Sequence, residues 1–468
     1  MTIQTKIFRF LKLTFRKHIT SRLSSIQIIV IYYLFLTLLA LFLFLLPVFR
    51  QPNSTVPLID LIFLAISTVS VTGLSTIDIH TVFNQNGIIL LEVLFQVGGF
   101  GIMMISTFFF ILSKKKISLR QRQLIMTDMN QPKLSGVVRL IKRTLILLIT
   151  IQILFGLAFG SYFYLHHDFK TISQSLFWGV FQSISAVTNS GFDVTGESLF
   201  PFAQHNGFLL WLILLMFIGS IGFPVLLEAT DYVTHFFNKK RLPYRFSLFT
   251  KIAITSFLVL FVLGAFVIYN FEANHLYQGM GAHEKVLNAM FYSMSTRNAG
   301  LQINPLTDFQ PHTLLFMSVL MFIGASPSSV GGGIRTTTVA IVTLYLISFL
   351  KGEENVNLFG RRINTQDIQK SVVVLNLSII LCFLAVLILM TTQPNLSMIS
   401  IVVEVCSAFG TTGLSLGITE QLDVIGKITI AMLMFIGRVG TLYILMLFVP
   451  KQTRDLGYEY PSEKIIIG

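Results

Sequence analysis

Long apolar runs alternate along this chain with shorter ones, and each shorter run ends in a polar stretch containing a glycine. The long runs are Ile26 to Val48, Gly87 to Leu112, Thr144 to Leu165, Gly207 to Leu227, Ile252 to Tyr269, Leu314 to Ile323 continued by Val339 to Leu350, Val372 to Met390, and Ile425 to Val449. A bilayer core takes about 20 apolar residues in a helix, so the pattern predicts eight spans, the sixth of them interrupted. The short segments are about Leu58 to Thr68, Ile172 to Val187, Glu284 to Met294 and Ser397 to Phe409. At about 1.5 Å per residue they reach only partway across, which predicts half-helices that dip in and return. The stretches that follow them are SVTGL at Gly73, TNSGF at Gly191, RNAGL at Gly300 and TTGL at Gly413.

A second register supports a fourfold repeat. Aligning those glycines brings Gly98, Gly219, Gly324 and Gly437 together, each in the following apolar run. One small residue in a membrane helix needs only close helix packing to explain it; two motifs kept in step four times predict parallel repeats. Four such units can surround one axis. Polar backbone at membrane depth is tolerated only against protein or water, so the arrangement predicts an ion path. The expected architecture is an all-α integral membrane fold, with eight transmembrane helices and four re-entrant helices around a central pore.

Composition agrees with this. Mean hydropathy is +0.75, with 53% hydrophobic and 12% charged residues. The net charge of +13 raises the question of nucleic acid, but its placement answers otherwise. The basic residues concentrate before the first span (Lys6, Arg9, Lys12, Arg16, Lys17, Arg22), between the second and third (Lys114 to Arg143), between the fourth and fifth (Lys239 to Lys251), between the sixth and seventh (Lys351 to Lys370), and after the eighth. An even number of spans puts all of these on one side, which predicts cytoplasmic termini and no nucleic-acid partner. The first 24 residues look like a basic amphipathic helix on anionic lipid. Cys382 and Cys406 lie in apolar segments and indicate no disulfide framework.

The expected organisation is a cytoplasmic N-terminus over 1–24, repeat 1 over 25–112, a basic loop over 113–143, repeat 2 over 144–237, repeat 3 over 238–350, repeat 4 over 351–449 and a cytoplasmic tail over 450–468. Repeat 3 contains an intramembrane loop at 325–338, Ala-Ser-Pro-Ser-Ser-Val-Gly-Gly-Gly-Ile-Arg-Thr-Thr-Thr. Proline, serines and three successive glycines remove helix propensity there. A phosphate-cradling reading fails because the P-loop lysine is absent.

Extended strands from four repeats can ring a dehydrated cation with carbonyl oxygens, and glycine permits the backbone angles this needs. The half-helices would direct their partly negative C-terminal ends at the same place. The candidate ion-binding positions are Val71, Thr72, Gly73; Asn189, Ser190, Gly191; Asn298, Ala299, Gly300; and Thr411, Thr412, Gly413. Arg438 stands in register with Gly99, Ser220 and Ala325. A charge at that depth either pairs with a carboxylate such as Glu92, Glu228 or Glu404, or lies beside the ion path. Arg297 is expected to brace the strand behind Gly300. His166, His167 and Asp168 invite a metal reading, but no further ligand is near them in sequence, and a solvated turn is expected.

VTGLS at 71–75, TTGLS at 411–415, the NSGF and NAGL variants, and the QVGGFG, FIGSIG, FIGASPSSVGGGIRTTT and FIGRVG stretches resemble the Trk/Ktr/HKT superfamily of potassium transporters over about Ser67 to Val449. Eight spans with no additional N-terminal pair look like the bacterial Ktr membrane subunit. The resemblance implies potassium as the transported ion, a homodimer with one pore per subunit, and a cytoplasmic RCK-type ring that binds nucleotide and is not part of this chain. It implies a bacterial cell-membrane protein, no cofactor on this chain, and no enzymatic reaction. Glycine at all four positions is the pattern associated with potassium; serine at the first is associated with sodium in plant relatives. The resemblance also makes the 325–338 stretch a gate below the filter, formed by Ser326, Pro327, Ser328, Ser329, Gly331, Gly332, Gly333 and Arg335, with Arg438 against it. The alternative is a secondary carrier for sodium or for sodium-coupled potassium. Inverted repeats and charged relay residues would mark such a carrier, whereas these repeats run parallel.

Overall fold

The computed structural model describes residues 24–52, 54–101, 104, 107, 117–128, 136–166, 169, 171–193, 198–238, 243–448, 461 and 463. The expectation for the N-terminal segment therefore lies outside the described residues except at Ser24. That for the C-terminal tail does so except at residues 461 and 463.

Polar residues that accept the free N–H groups of a first turn start many of the helices. Ser24 forms a capping box with Gln27 at the head of α1 (Ser25–Leu45). The short α2 (Leu58–Ser70) and α3 (Gln85–Phe100), the latter capped by Asn84, follow. Beyond α4 (Leu119–Asp128) come α5 (Val137–Leu165), α6 (Ile172–Thr188) capped by Thr171, α7 (Asn206–Ser220) and α8 (Phe223–Phe237). The third unit is α9 (Leu248–Glu272), α10 (Ala282–Ser295), α11 (Pro311–Phe322) and α12 (Thr336–Leu350). The fourth is α13 (Thr365–Thr392), α14 (Met398–Gly410) capped by Ser397, α15 (Val424–Val439) capped by Asp423, and α16 (Thr441–Phe448).

Two details depart from the sequence expectation. A hairpin of β1 (Asn357–Leu358) and β2 (Arg361–Arg362) interrupts the helical content, its turn made by Phe359 and Gly360 at positive φ. Helix α5 also starts at Val137, inside the segment expected to be loop up to residue 143, so Arg139, Lys142 and Arg143 ride on its first turns.

A larger departure concerns the spans. Among the described residues, α1, α5, α9 and α13 are continuous helices long and apolar enough to cross a membrane. The runs at 207–227 and 425–449, read as straight spans, are bent instead: α7 and α8 meet at 108°, and α15 and α16 at 96°. Gly222 and Gly440 make these corners at φ 100° and 102°, and α3 ends at Gly101 with φ 83°. L-residues rarely adopt such angles, while an apolar run reads straight through a single glycine. The break expected only in the sixth run therefore has counterparts at Gly101, Gly222 and Gly440. Pro327 holds the equivalent place, three residues after Gly324 as Gly440 is after Gly437.

The short helices are packed from two sides. Each lies on the long helix that precedes it, as α2 on α1, α6 on α5, α10 on α9 and α14 on α13. Each also meets the later apolar helix of the preceding unit: α3 touches α6, α7 touches α10, α11 touches α14, and α15 returns to α2. This succession is cyclic. Where the last unit meets the first, Lys427 Nζ lies 2.5 Å from Asp60 Oδ1, with both side chains largely buried. The outward faces of the long helices stay apolar, as at Phe35, Leu38 and Phe42 of α1 and Val259, Val262 and Phe266 of α9. Contiguous exposed apolar surface of this kind fits a lipid environment.

Candidate functional site

Three of the four short helices end in the same way, and the other reaches its glycine by a variant of that turn. Val71, Asn189 and Thr411 follow α2, α6 and α14 in the left-handed conformation at φ 58°, 50° and 52°. The next N–H then reaches back into the helix, Thr72 to the Ser67 carbonyl at 2.9 Å, Ser190 to Ser185 at 3.0 Å and Thr412 to Ser407 at 2.8 Å. This is a Schellman closure without its usual glycine, and left-handed Val71 and Thr411 store backbone strain. The third unit differs, since Thr296 stays helical and the positive φ falls on Asn298, at 81°.

Beyond these residues the chain turns left-handed again at Gly73, Gly191, Gly300 and Gly413, with φ of 89°, 72°, 67° and 97°. A Cβ on Gly73 would lie 2.4 Å from the Ser190 carbonyl oxygen, on Gly300 2.1 Å from that of Thr412, and on Gly413 2.2 Å from that of Thr72. Gly191 has slightly more room, 3.3 Å to Thr72 O and 3.4 Å to Ala299 O. The first strand thus meets the second, the second the third, the third the fourth, and the fourth the first. Of the twelve candidate ion-binding residues, Thr72, Gly73, Ser190, Gly191, Ala299, Gly300, Thr412 and Gly413 meet across this ring; Val71, Asn189, Asn298 and Thr411 directly precede them in the chain, and Thr72, Ser190, Ala299 and Thr412 are buried. It is a closed set of main-chain oxygens with no room for side chains at three of its four glycines.

Serines that sequence reasoning passed over hold the strands from behind. Ser185 Oγ donates to the Phe192 carbonyl at 2.5 Å, Ser295 Oγ to Leu301 at 2.6 Å, and Ser407 Oγ accepts from Gly413 N at 3.1 Å. Ser67, Ser185 and Ser407 each stand six residues before a ring glycine. That regularity was the available signal. The second glycine register has a physical origin as well: a Cβ on Gly98, Gly219 or Gly437 would strike the carbonyl oxygen of Val69, Val187 or Phe409, at the end of the short helix of its own unit, at 2.0 to 2.3 Å.

In the third unit the 325–338 segment fills that level and touches all four units. Ser326 N donates to Ser220 O at 3.0 Å, Val330 N to Gly219 O at 3.2 Å, and Phe223 N to Ser328 O at 2.8 Å. On the opposite side Gly332 N donates to Thr411 Oγ1 at 2.9 Å and Gly333 N to Gly437 O at 3.2 Å. Val330 packs against Gly99, and a Cβ on Gly331 would strike the Asn298 side chain at 2.5 Å. Asn298 Nδ2 in turn donates to the Gly410 carbonyl. Backbone at Ser326, Ser328, Val330, Gly331, Gly332 and Gly333 is therefore bonded to protein. On one side it touches the glycine ring, and on the other it borders a cavity of about 160 Å³ lined by Gly99, Gly101, Pro327, Gly333, Arg335 and Arg438 among others.

Both arginines of that cavity bind main chain. Arg335 Nη1 donates to the Gly331 carbonyl within its own loop. Arg438 Nη2 donates to Gly98 O and, at 2.8 Å, to Gly99 O. Of the two sequence expectations for Arg438, the carboxylate pair does not form among the described residues. Glu228 accepts from Ser247 N, and Glu404 from hydroxyls. Arg297 is fully buried, and its Nη1 donates at 2.6 Å to Ile323 O, at the end of α11. Of the candidate metal residues, His167 and Asp168 lie outside the described residues. His166 is an exposed turn residue, as expected, with its ring 4.3 Å from that of Tyr162 and 5.3 Å from that of His205.

A ring of backbone oxygens inside an apolar helical shell, crossed on one side by a glycine-rich loop, is the arrangement of a membrane ion-transport protein. The family model described as TrkH, Cation transport protein, matches residues 46–455, and the chain belongs to that family. It is 44% identical to the Ktr system potassium uptake protein D of Bacillus subtilis (strain 168), over 98% of this chain and 100% of that one. It is 32% identical to the potassium/sodium uptake protein NtpJ of Enterococcus hirae, over 97% of this chain and 99% of that one. Among solved structures, the potassium transporter TrkH from Vibrio parahaemolyticus superposes with a TM-score of 0.72 at 16% identity, covering 92% of this chain and 86% of that one. These matches bear out the resemblance drawn from VTGLS, TTGLS and the glycine-rich helix stretches.

Proposed function

We propose that this chain is the membrane subunit of a potassium uptake system, conducting the ion along the axis of the four-glycine ring. The observation that carries the reading is the cyclic closure of Gly73, Gly191, Gly300 and Gly413 against one another's strands. The main-chain oxygens of residues 71–73, 189–191, 298–300 and 411–413 would replace the ion's water shell. A membrane potential favours inward movement by about 2.3 kcal/mol per charge per 100 mV, so the passage needs no covalent step and no cofactor on this chain.

In this reading the apolar helices form four parallel repeats with both termini in the cytoplasm, as the basic segments favour. The 325–338 loop is the gate: its bonds to Ser220, Gly219, Thr411 and Gly437 span the ring's inner side. Arg438 lies beside the path and ties the fourth unit to the first. The Ktr system name of the 44% identical relative supports a partner subunit, and the resemblance of the glycine motifs adds a homodimer governed by a cytoplasmic nucleotide-binding ring. Passage of sodium is the second reading, favoured by the name of the E. hirae relative. Rubidium uptake by cells lacking other potassium systems, with and without competing sodium, tests both. Failure of the intact chain to accumulate rubidium sinks the proposal, and equal competition by sodium favours the second reading.

A further inference from the structure

Glu404 is a fully buried carboxylate on α14, nine residues before Gly413. Among the described residues no lysine, arginine or histidine forms an ion pair with it. Its partners are two hydroxyls from the chain leaving the fourth ring strand: Ser415 Oγ donates to Oε2 at 2.7 Å, and Thr419 Oγ1 donates to Oε1. The hydroxyls lie 3.0 Å from each other, and Ser415 Oγ also accepts from Gly417 N at 3.0 Å. The Ser415 carbonyl accepts from Gln302 Nε2 at 3.4 Å, and Gln302 stands two residues after Gly300 as Ser415 stands after Gly413. The network therefore ties the outgoing end of the third strand to that of the fourth.

The other units lack this device. Leu64, Gln182 and Phe291 occupy the register of Glu404, so at this register only the fourth unit offers a carboxylate. Burying such a group is costly, and ionisable groups at membrane depth are kept where they serve function. Here both of its oxygens are spent on one short segment. Ser407 holds Gly413 from the helix side and Glu404 holds the residues just beyond it.

We propose that Glu404 is a positioning residue that fixes the outgoing end of the fourth strand and so sets discrimination between potassium and the smaller sodium ion. This deepens the potassium reading and rests on it. A strand held at both ends cannot close in on a smaller ion, because its carbonyls keep their spacing; released at one end, it can. Gln302 carries the same constraint to the third strand.

The test is rubidium uptake against rising external sodium, with protein in the membrane quantified for each variant. Glu404→Ala should lower the preference for rubidium over sodium by about ten-fold, the scale of losing a buried charge-assisted hydrogen bond. Glu404→Gln should stay within about two-fold of the intact chain, since its amide accepts from one hydroxyl and can donate to the other. The double variant Ser415→Ala, Thr419→Val removes the same bonds from the other side and should shift selectivity in the direction of Glu404→Ala. It decides the matter if Glu404→Ala fails to reach the membrane. Unchanged selectivity in membrane-inserted variants lacking these bonds overturns the inference, and so does Glu404→Gln behaving like Glu404→Ala, which would make charge rather than anchoring the cause. An intact chain without uptake defeats the functional reading instead.

Discussion

The glycine ring and the level of helix breaks beside it come from the same four units, yet they are built on opposite principles. At the ring the units are nearly interchangeable: each supplies a left-handed glycine and a neighbouring carbonyl. At the breaks they diverge. Units two and four turn on Gly222 and Gly440 and the helix of unit one ends at Gly101, unit three has Pro327 and a loop bonded to its neighbours in that place, and unit four alone adds Arg438. Near-equivalence suits coordination of a spherical ion. In the proposed reading asymmetry suits a barrier, because one element lying across the path could open while three stay fixed.

The largest expected effect attacks the ring. Gly73→Ala, Gly300→Ala and Gly413→Ala each force a Cβ to within 2.1 to 2.4 Å of a main-chain oxygen, and backbone cannot rotate away as a side chain would. Rubidium uptake per unit of membrane protein should fall to background in all three. Gly191→Ala meets its nearest oxygen at 3.3 Å and adds mainly the left-handed strain of roughly 1–2 kcal/mol, so it should retain measurable uptake. Equal inactivity of all four would mean that backbone angle, and not crowding, limits the ring.

Next comes the asymmetric element. Deleting residues 326–333 removes the bonds to Gly219, Ser220, Thr411 and Gly437 while leaving the ring glycines in place. Leak of rubidium in both directions should rise, and dependence on a cytoplasmic regulatory partner should weaken. Flux and regulation that stay as in the intact chain would contradict a gate at this place.

The two levels were also unequally legible in the sequence. The ring could be read because its demands are local: a half-helix, a polar turn and a glycine sit within one short window, repeated four times. The break level was read in part. Three glycines in a row with proline announce a loop, but Gly222 and Gly440 sit singly in apolar runs, where close helix packing is the ordinary explanation, and only backbone angles reveal the corners. The partners of Arg438 were out of reach for a different reason. A carboxylate is visible in sequence as a candidate counter-charge, whereas the carbonyls of Gly98 and Gly99 exist at every residue and become acceptors only once α3 has ended beside α15.

Arg438 supplies an intermediate effect. Arg438→Ala removes a positive charge beside the cavity and bonds to two carbonyls, each worth about 1.5–3 kcal/mol when the donor is charged. The maximal rate of rubidium uptake should rise by about ten-fold with membrane insertion unchanged. Arg438→Lys keeps the charge without the planar fork and should fall between. Kinetics of Arg438→Ala that match the intact chain would remove the residue from the ion path.

The smallest effect separates conformation from crowding at the breaks themselves. Gly222 and Gly440 have nearly the same φ, 100° and 102°, so alanine strains the backbone comparably at both. The surroundings differ: a Cβ on Gly222 would come 2.7 Å from the Pro327 carbonyl oxygen, in the loop, whereas on Gly440 it meets nothing nearer than Tyr443 Cδ2 at 3.7 Å. If the loop is the barrier, Gly222→Ala displaces it and should raise rubidium leak measurably. Gly440→Ala should change flux little and lower thermal stability by roughly 1–2 kcal/mol. A leak from Gly440→Ala as large as that from Gly222→Ala would show that the corners gate by backbone angle alone, and would make the third unit no more of a barrier than its neighbours.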